Sequence, residues 1–246
     1  GTSMQVFNQV ATQIGGDIAT TNDCLGLIDT TVSAVGNLVG TFTDSGSNLY
    51  EGWYFPQAGA WTQITDVDFP PAQTPAVPLV PGPPVAMDGW LFWMSADGRI
   101  WNSDLNSVSA YTANNVISAG SMPDAGIGIA RAKDLIVAFG TYSIEFFENA
   151  GNPTGSPLRS VPNSVVRIGP TNSSTIKTIG DSVYFQGQSA ETGTRSIYRL
   201  NGQTLTKIST PDIDQYMVLG AFCLGSVHIY GYEHVLFATD VIAGTP

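Results

Sequence analysis

The sequence predicts an all-β fold, a β-propeller built of four-stranded blades of roughly 45 residues each. Three observations carry that prediction. Short apolar runs introduced by a small or acidic turn residue recur at Gly36-Asn37-Leu38-Val39, Gly89-Trp90-Leu91-Phe92, Asp134-Leu135-Ile136-Val137, Asp181-Ser182-Val183-Tyr184 and Gly225-Ser226-Val227; from Leu38 through Trp90, Leu135 and Val183 to Val227 the intervals are 52, 45, 48 and 44 residues. Each start is followed 8 to 14 residues later by a second apolar strand. Gly 27 and Pro 15 make up 17% of the 246 residues, which favours turns over long helices.

The second strands are Leu49 to Phe55, Ile100-Trp101, Ile144 to Phe147, Ile197 to Leu200 and Val235 to Phe237. Third strands follow at Trp61 to Ile64 and Leu205 to Ile208. Such a unit has two apolar faces and cannot stand alone, so neighbouring units must cover both. A β-sandwich also repeats strands every 8 to 12 residues. The propeller is preferred because the larger unit repeats, and not only the strand.

The longest interval contains Phe69 to Pro84, in which seven of sixteen residues are proline. Proline cannot donate to a sheet ladder, so this stretch reads as a stiff inter-blade connection rather than an arm to a neighbour. One short helix is expected after Thr210 as N-cap, with Pro211 at its first position, Asp212 near its positive end, and an end by Gly220. About five blade starts within residues 1 to 246 form a single propeller domain, and no third or fourth strand follows the last hairpin. The expectation is an incomplete ring, or a fragment of a longer chain continuing beyond both ends.

Charged residues are only 12% of the chain, against a usual share of about 25%. Nine basic against twenty acidic residues give a net charge of -11. Nucleic-acid readers cluster Lys and Arg to neutralise phosphates, and no such cluster exists here. DNA gripping is disfavoured; a passage that DNA traverses without sticking is not. No apolar run approaches the ~20 residues of a membrane-spanning helix, and no secretory signal pattern opens the sequence. Cys24 and Cys223 are read as two small apolar residues, with a disulfide as the other option.

Catalytic, metal and cofactor candidates reduce to none. His228 and His234 lie in the last hairpin without a third ligand, and zinc sites require at least three. Asp-x-Asp occurs in Ile64 to Pro71 and in Pro211 to Tyr216 without the Gly and Glu of a calcium loop, so turn and cap roles are expected. Ser95 to Trp101 approaches the S-x-D-x-G-x-x-W box of propeller sialidases. However, Gly98 follows Asp97 one residue too early, the box occurs once, and Arg99, Arg131, Arg159, Arg167, Arg195 and Arg199 are scattered without an adjacent acid pair. The aromatic hairpin Asp134 to Pro153, with Phe139, Tyr142, Phe146 and Phe147, is assigned to packing between blades.

Three stretches in order, "WTQITDVDFP" (Trp61 to Pro70), "DLIVAFGTYSIEFFENAGNP" (Asp134 to Pro153) and "DSVYFQGQSAETGTRSIYRLNGQTLTKISTPDIDQ" (Asp181 to Gln215), resemble the packaged-DNA stabilisation and tail-hub proteins of short-tailed bacteriophages. The resemblance spans roughly residues 55 to 220. It implies a propeller subunit in the virion tail, arranged as a six-fold homo-oligomeric ring below the portal and its adaptor. Such a ring extends the DNA channel, helps retain the genome, and carries a needle or spikes. It implies no catalytic residues and no cofactor. The rival from another class is a carbohydrate-binding or carbohydrate-processing propeller of the tail, which predicts acidic and aromatic residues converging on a pocket.

Overall fold

A computed structural model describes residues 24–32, 36–43, 50–56, 59–73, 75–215, 217, 222–229 and 232–239. The strands form consecutive antiparallel meanders. The first comprises β1 (Cys24–Thr30), β2 (Asn37–Thr43), β3 (Tyr50–Pro56) and β4 (Thr62–Gln63), hydrogen-bonded in that order. The second comprises β5 (Val85–Met87), β6 (Trp90–Met94), β7 (Arg99–Asn102) and β8 (Val116–Ser118). The third runs through β9 (Gly126–Ala132), β10 (Leu135–Gly140), β11 (Ile144–Asn149) and β12 (Leu158–Ser160).

In the fourth sheet the first strand is split. Both β13 (Ile168–Pro170) and β14 (Lys177–Ile179) pair with β15 (Ser182–Ser189), which continues into β16 (Arg195–Asn201) and β17 (Thr204–Lys207). A 3-10 turn at Ser173–Thr175 interrupts the two pieces. The fifth sheet has two described strands, β18 (Phe222–Ile229) and β19 (Tyr232–Thr239). The expected blade starts at Leu38, Trp90, Leu135 and Val183 fall on the second strand position of the first four sheets.

Contacts divide the chain into two compact units, residues 1–118 with 150–158, and residues 119–149 with 159–246. In the first, Val39 of β2 packs with Leu91 and Trp93 of β6, and Phe69, Leu79, Val108 and Tyr111 fill the space around them. In the second, Val137, Phe139, Ile144 and Phe146 of the third sheet meet Val183, Phe185, Tyr198 and Leu200 of the fourth. Phe139 and Phe185 cross edge to face at 5.3 Å, a favoured aromatic geometry. In both units the apolar face of one meander is thus covered by the next, the burial that a lone hairpin lacks.

The proline-rich stretch from Phe69 to Pro84 lies within the first unit and is packed. After a 3-10 turn at Pro70–Ala72, Leu79 and Val80 are buried. Leu79 forms an isolated bridge to Ser95, and Val80 N donates to Met94 O at 2.9 Å. Farther along, Thr41 Oγ1 donates to Gly82 O at 2.6 Å. The stretch therefore touches both the first and the second sheet.

The helix is the single turn α1 (Pro211–Asp214), shorter than the room up to Gly220 allowed. Thr210 has the extended backbone of an N-cap, but its side chain makes no capping bond. Asp214 ties the turn down instead, as described next. No helix of the described residues is long and apolar enough to cross a membrane.

Candidate functional site

The polar chemistry that the sequence singled out is spent on holding loops to sheets. In the turn from β6 to β7, Ser95 Oγ donates to Asp97 Oδ1 at 2.5 Å and accepts from Trp101 Nε1 at 3.1 Å. Arg99 Nε donates to Asp97 Oδ2 at 2.7 Å, and its guanidinium sits 4.8 Å from the Trp101 ring centre. Gly98, at φ 82, supplies the left-handed residue that closes so tight a turn. Burial works to raise the Asp97 carboxyl, but hydrogen bonds from Arg99 and Ser95 and the Arg99 charge hold it below its usual 3.8. This knot explains the sialidase-like spelling without any substrate: serine, aspartate and tryptophan bind one another.

The first Asp-x-Asp acts as a clasp. Asp66 Oδ1 accepts from Asp68 N at 2.9 Å, while Oδ2 accepts from Tyr111 N at 3.2 Å, joining the loop after the first sheet to the second. The Tyr111 hydroxyl accepts from Trp93 Nε1 at 2.8 Å. Burial, opposed by that hydrogen bond and assisted by the charges of Asp66 and Asp104, pushes its pKa far up. The phenol therefore stays neutral.

In the second Asp-x-Asp, Asp214 accepts from Ser196 Oγ at 3.0 Å and from Ser209 Oγ, and pairs with Lys207 Nζ at 2.5 Å. Its partial burial is outweighed by these donors, which hold the carboxyl below 3.8. Among the described residues no group of three or more His, Cys, Asp or Glu could hold a metal ion. The hairpin register pairs Val227 with His234 and His228 with Glu233, so the two histidines do not share a rung. The side chains of Cys24, Cys223 and His228 lie outside the described residues.

Sequence reasoning missed two clasps of the same kind. Glu145, on β11 and only 3% exposed, accepts from Ser121 N and Ser121 Oγ, both at 2.8 Å. Asp124 accepts from Tyr142 N at 2.7 Å and Ser143 Oγ at 3.0 Å, clamping the β10–β11 turn. In a single sequence the signal is faint: Glu145 stands in a strand otherwise made of Ile144, Phe146 and Phe147, where only a satisfied acid is tolerated. Of the aromatic hairpin's rings, Phe139, Phe146 and Phe147 are buried and Tyr142 is 41% exposed.

Among the described residues, two of the larger hollows carry polar groups. One, of about 410 Å³, is lined by Arg131, Lys133, Asp134, Thr178, Gly180 and Asp181, so its cations face two carboxylates. The other, of about 690 Å³ in the first unit, lies among Trp90, the β7–β8 loop and the loop at 151–157. Asp104 Oδ1 accepts there from Asn115 Nδ2 at 3.2 Å.

The charge is unevenly spread. No Lys or Arg occurs before Arg99, while that stretch holds nine acidic residues, of which Asp97 is paired with Arg99 itself. The remaining eleven acids share residues 99 to 246 with all nine bases.

Antiparallel meanders that cover one another's faces within each unit, with the described polar clasps holding loops to sheets, define a protein of blade-like sheets. A sequence profile described as "Bacteriophage P22 Gp10, beta-propeller" matches residues 85–221, more than half of the chain. The chain belongs to this family of phage stabilisation proteins, structural β-propeller components of the virion tail. The matched span holds the second and third of the three stretches noted in the sequence; Trp61 to Pro70 precedes it. No curated protein matches the chain. Among solved structures, the chain is similar to a protein described as the AfRom2 CNH domain, at 13% identity and a TM-score of 0.34 over 96% of this chain and 70% of that one.

Proposed function

We propose that this chain is a hub or nozzle subunit of a short-tailed phage. Its five sheets form one propeller domain, and six copies surround the DNA path below the portal and adaptor. The ring prolongs the channel, helps to keep packaged DNA in place, and presents attachment surfaces to a needle or to spikes. Family membership supports a structural virion role. The observation that favours conduction is the charge distribution: the stretch up to Gly98 carries nine acids and no base. A wall of that sign gives phosphates nothing to settle on, whereas clustered cations would release counterions and hold DNA fast. The side chains perform no reaction; they hold the wall together.

Reconstruction of the intact virion tests the reading. Six copies around the tail axis, with DNA density threading them, are expected. A different copy number, or a position away from the axis, overturns it. Purified protein should also fail to shift double-stranded DNA at physiological salt, and tight retention there would count against conduction.

A further inference from the structure

The hollow of about 690 Å³ in the first unit falls within the range of roughly 300–1,000 Å³ usual for small-molecule sites. Half-buried Trp90 and 56%-exposed Leu105 give it an apolar wall. Polar groups surround that wall. Asp104 Oδ1 is engaged by Asn115 Nδ2, which steadies both side chains and leaves each a second polar atom. Thr112, Asn114 and Thr154 also line the hollow, all exposed. Asn114 is held at φ 68, a left-handed conformation that fixes the loop tip.

The lining chemistry narrows the ligand class. None of the lining residues is basic, and the unit contains Arg99 as its sole Lys or Arg, so phosphates, sulfates and uronates meet repulsion. A single carboxylate is too few for a hard cation, which collects six or more oxygens. A ligand with one apolar face and a rim of neutral donors and acceptors fits: a ring of C–H groups against Trp90, and hydroxyls toward the amides, the hydroxyls and Asp104.

We propose that this hollow is a binding site for neutral carbohydrate, placed on the tail subunit in addition to its structural role. It binds and releases sugar without cleaving it, since Asp104 has no acid partner among the lining residues. A site open to solvent with one aromatic platform gives dissociation constants on the order of 1 mM per sugar unit. Repetition around a ring raises the avidity for a polymeric glycan.

The test is saturation-transfer NMR on the 246-residue protein with glucose, galactose and N-acetylglucosamine as probes and glucuronate as the charged control. Saturable transfer from at least one neutral sugar is expected, with none from glucuronate. Trp90→Ala should weaken binding about tenfold or more. Thr154→Arg, at an exposed loop position, should block the hollow while leaving the melting temperature unchanged, and it decides the matter if Trp90→Ala fails to fold. The proposal is overturned if no neutral sugar gives saturable transfer, if glucuronate binds equally well, or if binding survives a folded Thr154→Arg protein.

Discussion

Replacing Phe69 by alanine tests whether the proline-rich stretch is part of the core or mere connection. Its ring is fully buried, 5.4 Å from Trp93 in an edge-on pair and 4.9 Å from Tyr111. A Cβ placed on Gly52 would lie 2.7 Å from Phe69 Cζ, so β3 already touches the ring and has little room to move inward. Phe→Ala in a core costs about 3–5 kcal/mol. The upper half of that range applies here, because two aromatic pairs worth about 0.5–1.5 kcal/mol each are lost and the surrounding rings collapse poorly. Equilibrium urea unfolding, followed by tryptophan fluorescence, reads the change. For a chain of this size the melting temperature should fall by about 8–20 °C. Phe69→Leu should recover part of the loss. A cost below about 1 kcal/mol at unchanged denaturant slope would show that the stretch is not a structural plug, and the packing argument for the first unit would fail.

Three further outcomes follow from the clasps and close approaches. Asp214→Asn should cost about 1.5–3 kcal/mol at neutral pH, the worth of hydrogen bonds to a charged group. Because the folded carboxyl titrates below 3.8, its contribution is fully present above that value and fades as pH falls through the lower folded value. The gap between wild type and Asp214→Asn should therefore close in acid, and a constant gap in urea titrations from pH 7 to pH 2 would refute the role. Glu145→Ala should strip two bonds from Ser121 and lower stability by at least about 1.5–3 kcal/mol, with hydrogen exchange rising first around residues 119–125. Gly169→Ala should destabilise by about 1–3 kcal/mol or more, since its Cβ would sit 2.3 Å from Gly140 O; an unchanged melting temperature would show that the two backbones are not so close.

What could be read in the sequence follows from where burial is two-sided. The central strands β6 and β10 are apolar on both faces and announce themselves as the runs Leu91-Phe92-Trp93 and Ile136-Val137-Ala138-Phe139. The first strand of each of the first four sheets was not legible. β9 carries small residues, Gly126, Gly128, Ala130 and Ala132, along one face, where its neighbours approach closely: a Cβ on Gly128 would meet Ile176 at 2.6 Å. The pieces β13 and β14 are three residues each, too short for any periodicity. The Asp-Gly turn at Asp97 and the turn roles of Asp66 and Asp214 were legible because aspartate bonds its own neighbourhood. Their reach to Tyr111 and Ser196 was not, since such partners are chosen by the fold. The 690 Å³ hollow escaped notice for the same reason: its wall gathers Trp90, Asp104 and Thr154 from segments that carry no shared motif.

The Asp66 clasp has a mechanical consequence. A meander repeat joined only by slack connectors would unravel sheet by sheet when pulled, each sheet releasing its stored length at low force. Here the connector after the first sheet is pinned at Tyr111, beyond three strands of the second, so tension entering at that connector is shared with the neighbouring sheet before any ladder opens. For a structural component of a virion tail such load sharing matters, because rupture then requires several bonds to part together.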